Sequence, residues 1–173
     1  MRHVSRLPSR LGAATLFASL ALVGCQSVQT TQSGTVGIDR QQRVFSLVSS
    51  EQLDSEAATL YQKTLSEAQT QRALNTNATE TARVRDISQR LIAQVGTFRQ
   101  DAGAWKWEVN VINSDEINAW CMPGGKIAVY TGLLQKVQPT DDELAAVIGH
   151  EIAHALREHS RERVSQQMAR ASA

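Results

Sequence analysis

The sequence predicts an α+β domain. Three observations carry this: two stretches of helical period in the first half, a stretch of strand period closed by Met122-Pro123-Gly124-Gly125, and, near the end, an apolar helix bearing His150, Glu151 and His154. The charge is near balance, 18 Lys and Arg against 17 Asp and Glu for a net +1. No basic run is interleaved with aromatics, which excludes nucleic acid as a partner. The chain holds no internal repeat and no long low-complexity segment.

At the start, Arg2, Arg6 and Arg10 precede an uncharged run from Leu11 to Val23, too short to span a bilayer as a stable helix and of the length of a signal-peptide core. Leu22-Val23-Gly24-Cys25 resembles the bacterial lipobox, in which the Cys becomes the lipidated first residue after cleavage. An ordinary secretory signal or an uncleaved anchor are the alternatives; a Cys directly after a small residue at the end of the core favours lipidation at Cys25. Gln26 stands where an Asp would favour retention at the inner membrane, so the resemblance implies the outer membrane, with the domain facing the periplasm. Cleavage removes three Arg and no acid, taking the net charge to −2. One thiol then remains unmodified, Cys121, so no intramolecular disulfide can form. From Gln26 to about Gln42 the chain is Gln, Ser, Thr and Gly with few large apolar residues, which reads as a flexible tether with a reach of roughly 20 to 25 Å. The division is thus a signal peptide over 1–24, a tether over 25–42 and a folded domain over 43–173.

Ser49 with Gln52 offers a capping box, and Leu53, Ala57, Leu60, Thr64 and Ala68 recur at helical spacing with Leu65 beside them. A first packing helix is predicted to end near Leu74. Asn77 with Glu80 caps a second, whose Val84, Ile87, Leu91, Val95 and Phe98 form one continuous apolar stripe closed by Ala102-Gly103-Ala104.

Trp105, Trp107, Val109 and Val111 alternate with Lys106, Glu108, Asn110 and Ile112, the period of a strand with one face on a core. Ile117 to Met122 and Lys126 to Tyr130 read as two more strands. Pro123-Gly124 suits a type II turn between them, since Pro presets the first central φ and Gly accepts the positive second one. A short helix around Leu133 to Val137 separates this hairpin from the last helix.

Thr140 and Glu143, with Pro139 just outside, form a capping box that starts the last helix at about Asp141, and no Pro interrupts it before Ala173. His150 and His154 fall on one face, a turn apart, the separation two ligands need to reach one metal ion. Glu151, about 100° around from His150, can reach an activated water without ligating. Val147, Ile148, Ile152, Ala153, Ala155 and Leu156 leave Glu151 as the one charge near the motif, as expected of a helix at a domain centre. These residues imply a zinc hydrolase with one ion per chain, Glu151 acting as general base. The metzincin pattern is excluded, because it needs glycine at position 157 and histidine at position 160, where Arg157 and Ser160 stand. Glu158 lies about 11 Å along the axis from His150, too far to share its ion on an unbent helix. With His159, Arg161, Glu162 and Arg163 it reads as a mostly solvated end, a contribution of His159 to the site being the lesser alternative.

The run Asn118-Ala119-Trp120-Cys121-Met122-Pro123-Gly124-Gly125-Lys126-Ile127-Ala128-Val129-Tyr130-Thr131-Gly132-Leu133-Leu134, followed by Asp142-Glu143-Leu144-Ala145-Ala146-Val147-Ile148-Gly149-His150-Glu151-Ile152-Ala153-His154, resembles metallopeptidase family forty-eight. That family includes the HtpX heat-shock proteases, the CAAX prenyl proteases and periplasmic lipoproteins; the resemblance runs from about residue 80 to the end. It implies a zincin-like (gluzincin) domain with His150 and His154 as zinc ligands and Glu151 as catalytic base. It also implies that Asn118 and Ala119 lie on an edge strand that pairs with an extended substrate backbone, as free edge N–H and C=O groups can. For Asn118 a plain turn or strand-end role stays open. Cys121 reads as a small buried apolar residue. The family takes its third ligand from a Glu in an E-x-x-x-D motif on a later helix. No E-x-x-x-D occurs in these 173 residues. The third ligand is therefore expected beyond Ala173, and residues 26–173 alone are expected to bind zinc weakly.

The expectation is a lipid-anchored zinc metalloendopeptidase acting on unfolded or misassembled envelope proteins. The alternative is a catalytically silent lipoprotein that uses the same fold as a chaperone-like binding module, against which the intact Glu151 argues. A peptidoglycan or small-substrate zinc hydrolase is permitted by H-E-x-x-H alone and disfavoured by the resemblance from Asn118 to Gly125.

Overall fold

The computed structural model describes residues 25–33 and 41–171. The expected signal peptide, 1–24, lies outside the described residues. Strand β1 (Cys25–Val28) pairs antiparallel with β2 (Gln42–Phe45). Helices α1 (Ser50–Thr70), α2 (Ala78–Ile92) and the one-turn α3 (Val95–Phe98) follow, then a 3-10 turn (Gln100–Ala104). Strands β3 (Glu108–Ile112), β4 (Ala119–Met122) and β5 (Lys126–Tyr130) come next, then a π-helical turn (Leu133–Val137), α4 (Asp141–Leu156) and α5 (His159–Ala171).

The tether expected over 25–42 is not free at its ends, since Cys25–Val28 pair with Gln42–Phe45 and Gln42 is buried. The Gln42 amide donates to the carbonyl of Arg157, and β2 packs on α5. Composition recorded the polarity of this segment but not its partner across the domain.

Local signals account for the helix starts. Ser49 Oγ accepts from the Gln52 amide, Asn77 Oδ1 from those of Thr79 and Glu80, and Thr140 and Glu143 complete their reciprocal box. The faces differ in part from the expected stripes. Leu60 is 51% exposed, whereas Tyr61 is fully buried with Ala57 and Ala68. The stripe is turned by one residue because the Tyr61 hydroxyl donates to the Ile127 carbonyl and accepts from Asn110. Helix α1 stops at Thr70, and Ala73 to Asn75 run along β3, where Asn75 N–H donates to Val111 and Asn113 N–H to Ala73. The apolar stripe of α2 is interrupted after Ile92, and Val95 and Phe98 belong to α3. Trp105 and Trp107 precede the strand they were expected to open. Their rings stack at 5.5 Å, Trp107 N–H donates to the Trp105 carbonyl in a tight local turn, and the Trp107 indole lies against Gly125, where any Cβ would meet it at 2.6 Å.

The three-stranded sheet has the order β3-β5-β4, with β3 parallel and β4 antiparallel to β5. At the hairpin Gly125 N–H donates to Met122 C=O, and Gly124 takes φ +71°, as expected of the Pro-Gly turn. The main core lies between the sheet, α2 and α4, where Val84, Ile87, Ile127, Val129, Leu144 and Ile148 are each no more than 1% exposed.

The long helix expected from Asp141 onward is two helices. Helix α4 ends at Leu156, Arg157 caps it, Glu158 takes φ +50°, and α5 begins at His159. No Pro or Gly marks the break; distant side chains hold it, as described below.

Candidate metal centre

The face of α4 turned toward Ile148, Ile152, Ala155 and Leu156 is buried, while His150 and Ala153 lie on its exposed side. This half-open setting replaces the fully buried helix expected from the flanks, and it leaves the histidines reachable from solvent. Nε2 of His150 and Nε2 of His154 stand 2.9 Å apart, with the rings edge to face at 4.6 Å. Two nitrogens bound tetrahedrally at about 2.0 to 2.1 Å from one zinc ion would be roughly 3.3 Å apart, so a small rotation of the rings brings the pair into register. The two Nε2 atoms face each other across this short gap, and imidazole is a donor suited to zinc; the two residues fit as part of such a site. Among the described residues no group of three His, Cys, Asp or Glu converges on one point.

Two hollows flank the pair. The larger, about 490 Å³, lies between α4 and the α2–α3 junction and is mainly apolar, with Leu91, Val95 and Phe98 on its far wall. The smaller, about 320 Å³, lies between α4, β4 and the start of α5, and Glu151 opens into it together with Cys121, His154 and His159. Glu151 thus faces the strand, not the helical side. Burial pushes the Cys121 thiol well above its ordinary range, and the nearby Glu151 charge adds in the same direction. A thiol held neutral is a poor nucleophile, which agrees with reading Cys121 as a packing residue.

Strand β4 is the open edge of the sheet. The outer edge of β3 is taken by Ala73 to Asn75, while β4 pairs only with β5 among the described residues. The register decides which groups are free. Tyr130 N–H donates to the Asn118 carbonyl at 3.0 Å and Ala119 lies opposite Val129, so by antiparallel alternation Asn118 and Trp120 turn their backbone groups to β5. Ala119 and Cys121 turn theirs outward. Of the two residues expected on the substrate edge, Ala119 has its backbone there while its side chain is buried, and the Asn118 carbonyl is engaged in the sheet. Cys121 is the edge residue the sequence did not single out; the alternation Ala119/Cys121 was its available signal.

The C-terminal side of the site corrects a second expectation. Glu158, His159 and Arg161 are not a solvated end: the side chain of Glu158 is 11% exposed and that of Arg161 18%. Glu158 points away from His150, accepting from Arg99 at 2.9 Å, from Arg161 at 3.1 Å and from Ser50 Oγ at 2.9 Å. Burial alone would lower the pKa of Arg99, but Asp101 and Glu158 outweigh it and hold it raised. His159 turns back onto the site, its Nδ1 2.6 Å from Nδ1 of His154. Cys25 opens β1, well away in the sequence from these residues.

The model of peptidase family M48 matches residues 78–173, more than half of the chain. Over 62 residues, 36% of this chain, the sequence is 47% identical to the mitochondrial metalloendopeptidase OMA1 of Arabidopsis thaliana, the match covering 13% of that protein. It is 38% identical over 50 residues, 29% of the chain, to the metalloprotease YcaL of Escherichia coli K12, covering 19% of it. It is 28% identical over 76 residues, 44% of the chain, to the beta-barrel assembly-enhancing protease of Yersinia pestis, covering 14% of it. The matched stretches therefore span less than a fifth of each of these relatives. With the family model covering the sheet, the paired histidines and the glutamate between them, the chain belongs to peptidase family M48, a family of metallopeptidases.

Proposed function

We propose that the protein is a zinc-dependent metalloendopeptidase in which His150 and His154 hold the ion and Glu151 is the general base. The observation that carries this is the convergence of the two Nε2 atoms at 2.9 Å with Glu151 directed into the hollow beside the open strand edge. Zinc bound there would supply Lewis acidity, polarising a peptide carbonyl and acidifying water. Glu151 takes the proton of the attacking water and delivers it to the leaving amine. Ala119 and Cys121 pair with an extended substrate through backbone N–H and C=O groups, a mode of binding that would depend little on substrate side chains. His150 and His154 supply two of the three protein ligands a catalytic zinc takes, and the resemblance assigns the third to a Glu of an E-x-x-x-D motif, which these residues do not contain.

Cys25, by this reading, carries lipid and anchors the domain at the outer membrane on its periplasmic side, and unfolded or misassembled envelope proteins are its substrates. The lipobox-like Leu22 to Cys25 supports the anchor. The name of the Yersinia pestis relative, an assembly-enhancing protease for beta-barrels, supports the substrate class. The test is cleavage of casein or an unfolded outer-membrane protein by the purified full-length protein, before and after chelation and zinc return. Glu151→Gln should keep its zinc and lose turnover by several orders of magnitude, the ligands being intact and the base gone. Equal turnover by Glu151→Gln would remove that residue from its role, and activity indifferent to chelation would end the metallopeptidase reading.

A further inference from the structure

We propose that His159 is a positioning residue for His154, turned back by the break between α4 and α5 to accept a hydrogen bond from Nδ1–H of His154 and so keep the Nε2 lone pair of His154 facing His150. The inference rests on His150 and His154 being the metal ligands. On an unbroken helix residue 159 would stand about 140° around and 7.5 Å along from residue 154, out of reach. In the structure the two Nδ1 atoms are 2.6 Å apart and the rings 4.8 Å, at 70°.

The direction of this hydrogen bond follows from the chemistry of imidazole. A neutral ring carries one N–H and one lone pair. Ligation through Nε2 requires the proton of His154 on Nδ1, so Nδ1 of His159 must be the acceptor, with its own proton on Nε2. His159 does not serve as a ligand beside His150. It meets His154 at Nδ1, whereas His150 meets it at Nε2, and no group of three such residues converges among those described.

The break is built to hold this geometry. Glu158, at φ +50°, is gripped by Arg99, Arg161 and Ser50, and Arg161 also donates to the Val48 carbonyl at 2.7 Å. The carbonyls that α4 leaves open are taken from outside it, Leu156 by Arg99 at 3.2 Å and Arg157 by Gln42. Three separate segments, at Gln42, at Val48 to Ser50 and at Arg99, thus fix the angle at which α5 departs, and His159 is its first residue.

A partner that orients a ligating imidazole is typically worth 10- to 100-fold in metal affinity. The experiment measures zinc dissociation constants by chelator competition, and the visible spectrum of the cobalt-substituted form, in the full-length protein and its His159→Ala, His159→Asn and His154→Ala variants. Circular dichroism checks that each is folded. Asn offers an amide oxygen near the position of Nδ1. We expect His159→Ala to weaken zinc 10- to 100-fold without changing the cobalt band shape, His159→Asn to recover most of that affinity, and His154→Ala to lose the ion. Zinc binding by His159→Ala equal to wild type, beside a failed His154→Ala, overturns the positioning role alone. Equal weakening in Ala and Asn overturns the acceptor role, and a cobalt spectrum altered as in a lost ligand makes His159 a ligand instead. A His154→Ala variant that binds as wild type overturns the ligand reading on which all of this stands.

Discussion

Replacing Glu158 by Ala should destabilise the domain by about 3 kcal/mol, the lower end of the cost of stripping one partner from a buried ion pair. The side chains of Glu158, Arg99 and Arg161 are 11%, 13% and 18% exposed, so the loss leaves two guanidinium groups largely out of water. The lower end applies because Arg99 keeps Asp101 at 2.8 Å and Arg161 keeps the Val48 carbonyl. The left-handed backbone adds a second lever. Glycine relieves the cost of φ +50° by roughly 1 kcal/mol, so Glu158→Gly should be less harmful than Glu158→Ala, at about 2 kcal/mol. Urea unfolding of the full-length protein followed by circular dichroism measures the differences. In thermal scans the Ala variant should melt roughly 6 to 12 °C lower. A loss within about 0.5 kcal/mol for Ala would place the triad among inert surface pairs and refute the account of the break. Equal losses for Gly and Ala would refute the backbone part of it.

The other predictions concern the anchor, the strand edge and a buried phenol. Cys25→Ala should abolish incorporation of labelled fatty acid and leave the protein unprocessed or released from the membrane fraction; an unlabelled wild type would end the lipoprotein reading. A peptide substrate N-methylated at an amide that pairs with Ala119 or Cys121 should lose binding, while methylation at alternate amides should not, because only every second residue of an edge strand faces its partner; uniform tolerance would refute the pairing. Burial, opposed by the Asn110 hydrogen bond, pushes the Tyr61 hydroxyl up to about 12 from its ordinary 10. The folded value exceeds the unfolded one, so the stability from this group is whole below pH 10 and is lost as pH rises through 12. Tyr61→Phe should lower stability at pH 7 by about 1 to 3 kcal/mol, since Asn110 and the Ile127 carbonyl lose a partner, and should flatten that alkaline decline. An unchanged pH profile would point to another group.

What the sequence determined by itself was whatever depends on residues a few positions apart. Ser49, Asn77 and Thr140 start helices by bonding amides two or three residues on, Pro123-Gly124 turns the hairpin through its own dihedrals, and His150 and His154 meet because a helix returns to the same face every four residues. The tertiary structure alone decided what depends on partners far along the chain. The strand order β3-β5-β4 and the cover of Ala73 to Asn75 on β3 are needed to know that β4 is open, and the pairing register is needed to know that Ala119 and Cys121 face outward. Tyr61 had the helical spacing of Ala57 and Ala68 in its favour, but its burial was settled by Ile127 and Asn110. The break after Leu156 had no local mark, for Arg157 and Glu158 are ordinary helix formers. The Arg99 guanidinium and the Ser50 hydroxyl, brought from far along the chain, join Arg161 on Glu158 and outweigh that weak preference, and the break they hold carries His159 from an apparently solvated end to the side of His154.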